Sequence, residues 1–160
     1  MDIRPAEPRD EGAIWSIIGP IIRAGETYAL PPALARTDAL AYWQARGHEV
    51  FVAEEDGRVV GTYYMRANQR GGGSHVANCG YMTALDATGK GVARAMCAHS
   101  LDHAWARGFL AMQYNFVVST NERAIRLWQS FGFEIVGRLP GAFAHPRLGL
   151  VDALVMYRRL

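Results

Sequence analysis

Hydrophobic and polar positions recur along the chain with two different periods, and these periods predict which segments are helices and which are strands. Apolar residues spaced three to four positions apart predict helices, because they fall on one helical face. Alternating or continuous apolar runs bounded by turn-forming residues predict strands. The predicted helices are Asp10–Arg23, Leu34–Arg46, Gly91–Arg107 and Asn121–Phe131. The predicted strands are Ile3–Arg4, Val50–Glu54, Val59–Arg66, His75–Leu85, Met112–Val118, Phe133–Arg138 and Val151–Arg158.

The order of these elements, βααβββαβαββ, is typical of a mixed α/β (α+β) domain. It predicts a mainly antiparallel sheet of six to seven strands flanked by about four helices. The turn Glu55-Asp56-Gly57 joins two of the strands as a hairpin. Because 160 residues suit a single core and no linker or repeat interrupts them, we expect one domain over residues 1–160.

Composition and charge argue against several functional classes. The net charge is only +2 and the basic residues are scattered, so no nucleic-acid footprint is visible. No apolar run approaches a membrane span, and the first residues do not resemble a signal peptide. Cys79 and Cys97 lack metal-ligand or redox spacing, which predicts reduced, buried thiols and no metal site. We therefore expect a cytoplasmic protein without a nucleic-acid or membrane partner.

A glycine-rich turn, Thr88-Gly89-Lys90-Gly91-Val92-Ala93, joins the end of a predicted strand to a predicted helix. Glycine lets the backbone approach a ligand closely, and the first turn of a helix has unpaired N–H groups. These groups and the positive end of the helix dipole favour a phosphate or pyrophosphate. An ordinary strand-to-helix connection explains the same residues, so the turn alone leaves both interpretations open.

Two motifs give the chain a resemblance to a known family. The turn at residues 88–93 matches an acetyl-CoA signature of Arg or Gln, two residues, Gly, one residue, and Gly or Ala, except that Thr88 occupies the first position. The segment from Asn121 to Phe133 matches the pattern Asn-x-x-Ala-x-x-Leu-Tyr…Gly-Phe, except that Trp128 replaces the Tyr. With this spacing and element order, the chain resembles the GCN5-related N-acetyltransferases along nearly its whole length.

The resemblance implies acetyl-CoA as the acetyl donor, bound without a metal ion. Strand backbone would pair with the pantetheine arm, the glycine-rich turn would hold the pyrophosphate, and the backbone N–H of Thr83 would bind the thioester oxyanion. The implied cofactor residues are Met82, Thr83, Ala84, Gly89, Lys90, Gly91, Val92, Ala93, Arg94, Asn121, Ala124 and Trp128. Asn121 is also a candidate helix N-cap, a role that is compatible with cofactor contact.

The sequence departs from the family where acid–base chemistry is expected. Trp128 replaces the Tyr that protonates the CoA thiolate in many members, and an indole N–H does not act as an acid near neutral pH. The strand His75–Leu85 contains no carboxylate, whereas relatives often carry a Glu there. Proton donation by Tyr81, Tyr114 or solvent, and a role for His75 as base, stay open.

Asn78 and Asn115 are the candidate catalytic side chains, together with the backbone of Thr83. Asn is depleted in strands, yet these two lie in the middle of strands that should border the acceptor. A neutral amide can orient the acceptor amine and favour its unprotonated form. The alternative is structural, with each Asn satisfying a bulge or a neighbouring backbone group.

Short motifs around Asn78, Asn115 and Val151-Asp152-Ala153 resemble those of the fungal acetyltransferases of azetidine-2-carboxylate and related proline analogues. This likeness covers roughly residues 71–158 and implies a small amino-acid-like amine as acceptor. It implies Asn78 and Asn115 as the residues that hold the acceptor's amine or carboxylate. Glu26, Thr27 and Tyr28 resemble the acceptor loop of small-molecule acetyltransferases more broadly. Phe143 and His145 are candidates for the opposite wall of the pocket, with packing and loop roles as the alternative. A protein N-terminus or antibiotic amine as acceptor, a non-catalytic acyl-CoA-binding module, and a homodimer remain open.

Overall fold

The computed structural model describes all 160 residues. It contains seven strands and four α-helices, in the order that the sequence predicts. The strands are β1 (Asp2–Pro5), β2 (Glu49–Glu55), β3 (Arg58–Ala67), β4 (Val76–Thr83), β5 (Ala111–Val118), β6 (Glu134–His145) and β7 (Gly149–Arg159). The helices are α1 (Glu11–Ala24), α2 (Arg36–Trp43), α3 (Val92–Ala106) and α4 (Glu122–Ser130). No helix of the chain combines the length and the hydrophobicity that crossing a membrane requires.

One sheet contains all seven strands, in the spatial order β1-β2-β3-β4-β5-β7-β6. Neighbouring strands are antiparallel except β4 and β5, which are parallel. β4 and β5 pair only where Val76 meets Ala111 and Ala77 meets Met112, and beyond this point they separate. The predicted mixed, mainly antiparallel fold is therefore confirmed, and its irregular feature is a gap in the middle of the sheet.

Helices cover both faces of the sheet and divide the hydrophobic core into two parts. α3 and α4 cover one face, where Met96 and Trp128 belong to the larger buried cluster. α1 and α2 cover the other face through Ile18, Trp43 and their neighbours. Because the sheet separates these two layers, an opening between β4 and β5 can connect them.

Close packing fixes the start of α3 against the sheet. A Cβ added to Gly61 of β3 would lie 2.7 Å from Val92 Cγ1, so only glycine leaves room for the helix there. The backbone of Gly91, directly before α3, has φ +85°, a left-handed conformation that glycine adopts without strain. The glycine-rich turn is thus held at one end of the β4–β5 gap.

The final hairpin is longer than the sequence predicts. The sequence predicts strands over Phe133–Arg138 and Val151–Arg158, whereas β6 continues to His145 and β7 begins at Gly149. Register shifts interrupt the pairing of β6 with β7, one of them between Leu139 and Phe143. Such bulges break the alternation of apolar and polar residues from which strands are predicted.

Candidate active site

A cavity of about 730 Å³ passes through the gap between β4 and β5 and reaches both helix layers. Its wall begins at the glycine-rich turn on the α3 side and ends beneath the loop between α1 and α2. No Asp or Glu contributes to the wall, which contains four arginines and several aromatic residues. The cavity is therefore suited to a long ligand with negative charge at one end or both.

The hydrogen bonds of β4 identify the backbone groups that face the gap. The Ala84 N–H donates to Val60, and the Asn68 N–H donates to the Val76 carbonyl, so even-numbered residues of β4 direct their backbone to β3. The backbone N–H and C=O groups of successive residues in a strand point to opposite sides. The odd-numbered residues Cys79, Tyr81 and Thr83 therefore present these groups to the gap. These groups can pair with amides of an added extended chain.

This register affects three of the predicted cofactor residues. Thr83 faces the gap and lines the cavity. The backbone of Met82 pairs with Thr62 of β3 instead, and its side chain is buried in the α1–α2 core. The Ala84 N–H is already bonded to Val60, so neither Met82 nor Ala84 offers a free backbone donor to the cavity.

The glycine-rich turn concentrates unpaired N–H groups at the other end of the cavity. The N–H groups of Gly89 and of residues 91–94 have no protein acceptor, while the Lys90 N–H donates to the Ala87 carbonyl. A Cβ on Gly91 would meet nothing within 4 Å, so the space in front of the turn is open. Free donors, open space and the helix dipole together fit a pyrophosphate.

Arginine side chains add positive charge to this end. A Cβ on Gly89 would lie 3.2 Å from a terminal guanidinium nitrogen of Arg123, so that guanidinium covers the turn. Arg94 also lines the cavity and lies over the Phe131 ring, 5.4 Å from its centroid. The side chain of Lys90 is exposed and contributes nothing to the wall.

Helix α4 supplies the wall opposite the turn. The Asn121 side-chain oxygen accepts the Ala124 N–H at 3.4 Å, so Asn121 caps the helix and also lines the cavity. Ala124 leaves room beside it. Trp128 is buried, with its ring centroid 5.0 Å from that of Tyr81 and 5.1 Å from that of Tyr114.

The two tyrosines that could replace the missing acid belong to a buried hydroxyl chain. The hydroxyl oxygens of Tyr81 and Tyr114 lie 2.9 Å apart, and Ser100 Oγ is 2.7 Å from that of Tyr81. Burial raises the pKa of both phenols well above the usual value of 10.0. Since a raised pKa makes a phenol a weaker acid, burial disfavours either tyrosine as a proton donor.

Aromatic side chains enclose the end of the cavity that faces α1 and α2. Tyr28, in the loop between α1 and α2, donates its hydroxyl hydrogen to the Tyr81 carbonyl at 3.0 Å. The Tyr42 and Tyr64 hydroxyls lie 3.4 Å apart, and both residues line the wall, as does Phe116. Thr27 lines the wall beside them.

Asn78 lies where the strands begin to separate and connects β4, β5 and β3. Its amide nitrogen donates to the Gln113 carbonyl at 2.9 Å, and its oxygen accepts from Arg66 Nε at 3.3 Å. Because a carbonyl only accepts and a guanidinium only donates, these two partners fix the orientation of the amide. The side chain therefore has the structural role that was left open, at a position that also lines the cavity.

Asn115 lies in a bulge of β5. The register of β5 with β7 shifts between Tyr114 and Val117, which turns the intervening residues out of the regular ladder. The Asn115 amide nitrogen donates to Asn68 Oδ1 at 2.6 Å, and its oxygen accepts from Gln113 Nε2 at 2.9 Å. Asn115 is thus both a bulge residue and part of the cavity wall.

Four other candidates lie outside the wall. Glu26 forms an ion pair with Arg147 and so joins the α1–α2 loop to the β6–β7 turn. Phe143 is buried behind Phe116, with ring centroids 6.2 Å apart. His75 is exposed before β4, and His145 Nδ1 accepts the N–H groups of the following turn.

Several wall residues were not predicted from the sequence. Arg123 lies within the second motif, between Asn121 and Ala124, and its charge was the one signal in the sequence that pointed to it. Arg66, Tyr42, Tyr64 and Phe116 come from segments without any recognisable motif. Only the packing of α2, β3 and β5 brings them together.

Comparison with known proteins identifies the family. The model of the acetyltransferase (GNAT) family matches residues 20–133, more than half of the chain. A GCN5-related N-acetyltransferase from Kribbella flavida is 42% identical, with a TM-score of 0.95 over 99% of this chain and 97% of that one. The structure of yncA from Salmonella typhimurium with its cofactor acetyl-CoA is 25% identical, with a TM-score of 0.86 over 100% of this chain and 94% of that one.

A curated relative is similar over a shorter region. The N-acetyltransferase aca1 of Schizosaccharomyces pombe is 31% identical over 103 residues, which are 61% of this chain. The match covers 47% of that protein, so the chain spans about half the length of this relative. Family model, fold and cavity agree, and the chain belongs to the GNAT family of acetyltransferases.

Proposed function

We propose that this protein is an acetyl-CoA-dependent N-acetyltransferase that acetylates a small amino-acid-like amine by direct attack in a ternary complex. The observation that carries the proposal is the continuous cavity through the β4–β5 gap. One end offers free N–H groups and arginines, and the other is an aromatic pocket. Two substrates entering from opposite faces of the sheet would meet in the gap.

The chain's own groups position the donor. Free N–H groups of the glycine-rich turn hold the pyrophosphate, with Arg94 and Arg123 beside them. Backbone groups of Cys79, Tyr81 and Thr83 face the gap, where the pantetheine amides can pair with them. The Thr83 N–H is our candidate for binding the oxyanion that forms on the thioester carbonyl.

The reaction needs a neutral amine and no dedicated base. Acetyl-CoA supplies a thioester: the amine nitrogen bonds to its carbonyl carbon, the carbon–sulfur bond breaks, and the amine proton leaves as the thiolate is protonated. An amine with pKa near 10 is about one part in a thousand neutral at pH 7, which costs about 4 kcal/mol. Because the wall contains no carboxylate to stabilise an ammonium ion, the pocket favours the neutral form.

The geometry of the acceptor end favours a small molecule over a protein N-terminus. Tyr28 crosses the pocket to bond the Tyr81 carbonyl, and the Glu26–Arg147 ion pair joins the two loops beside it. An amino acid or proline-like analogue fits this enclosure better than an extended peptide does. Asn78 and Asn115 border the same pocket and orient the acceptor, Asn78 through its bond to Arg66.

A non-catalytic acyl-CoA-binding module is the second candidate. It is favoured by one specific observation: the wall has neither a carboxylate base nor the usual tyrosine acid, since Trp128 occupies that position. Such a module would bind acetyl-CoA through the same turn and release no thiol.

Two measurements separate these functions. We expect calorimetric binding of acetyl-CoA, and release of free CoA thiol when a panel of amines is added. The panel includes proline, azetidine-2-carboxylate, a peptide with a free N-terminus and an aminoglycoside. With a cyclic amino acid as acceptor, kcat/KM should rise with pH until the pH reaches the pKa of the amine. Binding without thiol release for any amine would support the binding module, and preference for the peptide would overturn the small-molecule assignment.

A further inference from the structure

Arg66 is the one cation at the acceptor end of the cavity. The wall contains four arginines, and the other three, Arg94, Arg123 and Arg126, belong to α3 and α4 at the cofactor end. Asn78, which contacts Arg66, is five residues from Thr83, so Arg66 lies about 16 Å along β4 from the gap end at Thr83. A charge this far away is not needed for the pyrophosphate.

The Arg66 guanidinium has no acidic partner in the protein. Seven other arginines form ion pairs with carboxylates, whereas Arg66 forms none. Its only protein hydrogen bond runs from Nε to Asn78 Oδ1 at 3.3 Å. The two terminal nitrogens therefore keep their N–H donors available.

The position of Arg66 is set by a chain of bonds that permits only one orientation. The Gln113 carbonyl requires the Asn78 amide nitrogen, which leaves the Asn78 oxygen to face Arg66. Asn78 is buried, with 6% of its surface exposed, so this support is rigid. A guanidinium fixed through Nε presents a planar fork, the geometry that matches a carboxylate.

Aromatic side chains limit the water around this charge. Tyr64 is buried and lies two residues before Arg66 on the same face of β3, and His48 stacks on its ring at 4.2 Å. Tyr28 and Tyr42 line the same end of the cavity. Electrostatic attraction is stronger in such surroundings than in bulk water.

We propose that Arg66 binds the carboxylate of the acceptor, so that the substrates of this enzyme are amino acids rather than simple amines. This inference rests on the proposed function and names the substrate class of the same site. The carboxylate docks on the guanidinium fork, and the amine of the same molecule points along the cavity toward the gap. Asn78 is a positioning residue, because it acts on the acceptor through Arg66.

The first test compares three acceptors with the wild-type protein: L-proline, L-prolinamide and pyrrolidine. These share the ring amine and differ in the carboxylate. The amines of these compounds differ in intrinsic reactivity. We therefore define the acid-to-amide ratio as kcat/KM for proline divided by kcat/KM for prolinamide, and compare this ratio between the wild-type protein and each variant. A wild-type protein that acetylates the amide or pyrrolidine and not the acid would overturn the proposal.

The second test changes the arginine. Arg66→Gln should lower the acid-to-amide ratio about 10- to 100-fold, the range expected for hydrogen bonds to a charged group, with acetyl-CoA affinity unchanged. Arg66→Lys should lower it less, because lysine keeps the charge and loses the fork. The matched control is Arg70→Gln, an exposed arginine near the same strand that does not line the cavity. An equal loss for both acceptors in Arg66→Gln would overturn the proposal.

The third test uses Asn78→Asp. A carboxylate at this position would pair with Arg66 internally and compete with the acceptor's carboxylate. The acid-to-amide ratio should fall, a result that a merely structural role for Asn78 would not produce. If no amine releases thiol although acetyl-CoA binds, the proposed function itself fails; if amines react without preference for the carboxylate, only the assignment to Arg66 fails.

Discussion

The two ends of the cavity are built in opposite ways. The cofactor end uses backbone N–H groups of a single turn, those of Gly89 and residues 91–94, which the left-handed backbone of its two glycines helps to position. The acceptor end uses side chains from the α1–α2 loop, α2, β3, β4 and β5. We therefore expect a short motif to specify donor binding, and residues spread over half of the chain to select the acceptor.

The largest effect should come from filling the cofactor end, because its function depends on open space. Gly91→Glu places a side chain and a negative charge before the unpaired N–H groups, at φ +85°. We expect acetyl-CoA affinity to fall at least about 100-fold, measured by calorimetry, since left-handed strain and charge repulsion add.

The control for this variant is Gly57→Glu. Gly57 also has a positive φ, +75°, and open space around it, but lies in the β2–β3 hairpin. It carries the same strain and charge away from the cavity. Equal acetyl-CoA affinity in the two variants would contradict the assignment of the turn.

At the acceptor end, the asparagines should show mixed effects on stability and on activity. Asn78→Ala leaves the Gln113 carbonyl without its donor, and Asn115→Ala removes the partner of Asn68. Each unsatisfied group costs about 1–3 kcal/mol, so Tm should fall by several degrees. We expect kcat/KM for the acceptor to fall about tenfold or more while acetyl-CoA binding is kept, as measured by steady-state kinetics and calorimetry. Loss of both ligands in parallel would assign these residues a structural role alone.

Gly80 offers a way to move one wall of the acceptor pocket. A Cβ there would lie 2.6 Å from the Tyr64 ring, so Gly80→Ala must displace that ring. Overpacking of this kind costs about 1–3 kcal/mol, and we expect up to about a tenfold loss in acceptor kcat/KM with little change in acetyl-CoA affinity. Gly72→Ala, where a Cβ meets nothing within 4 Å, is the control for the loss of a glycine. A normal acceptor KM and kcat in Gly80→Ala would show that Tyr64 does not shape the pocket.

A substitution of Trp128 tests whether its indole takes part in the reaction or only packs between the two ends of the cavity. The indole packs on Tyr81 and Tyr114, so Trp128→Phe should keep most of the turnover and raise the acetyl-CoA KM a few-fold. The kcat is measured from the initial rate of CoA thiol release at saturating concentrations of both substrates. A drop of kcat beyond about 100-fold, the scale of general acid–base catalysis, would place the indole in the chemistry.

The smallest effect should follow from removing the ion pair that joins the α1–α2 loop to the β6–β7 turn. Arg147→Gln removes the ion pair with Glu26, and both side chains are partly exposed, so the pair contributes at most about 1 kcal/mol. The acceptor KM should rise no more than a few-fold, and acetyl-CoA affinity should stay constant. The control is Arg9→Gln, which removes a comparable exposed ion pair with Glu7. Neither Arg9 nor Glu7 lines the cavity. If both variants behave alike, the pair has no role in the acceptor site.

The same contrast explains what the sequence could predict. The glycine-rich turn and the Asn121 cap depend on neighbouring residues, so motif and spacing were sufficient to find them. The backbone direction of Met82 and Ala84 depends on hydrogen-bond register with β3, which no local pattern contains. Arg66 reads as an ordinary surface charge at the end of a strand, and only the fold shows that it lacks a carboxylate partner.

Tyr81 belongs to both ends at once. Its carbonyl accepts the Tyr28 hydroxyl from the acceptor loop, while its ring packs against Trp128 on the cofactor side. We therefore expect a shift of this residue to change the affinity for both ligands and so to link their binding free energies. Linkage is reciprocal: whatever factor acetyl-CoA applies to acceptor affinity, the acceptor applies to acetyl-CoA affinity.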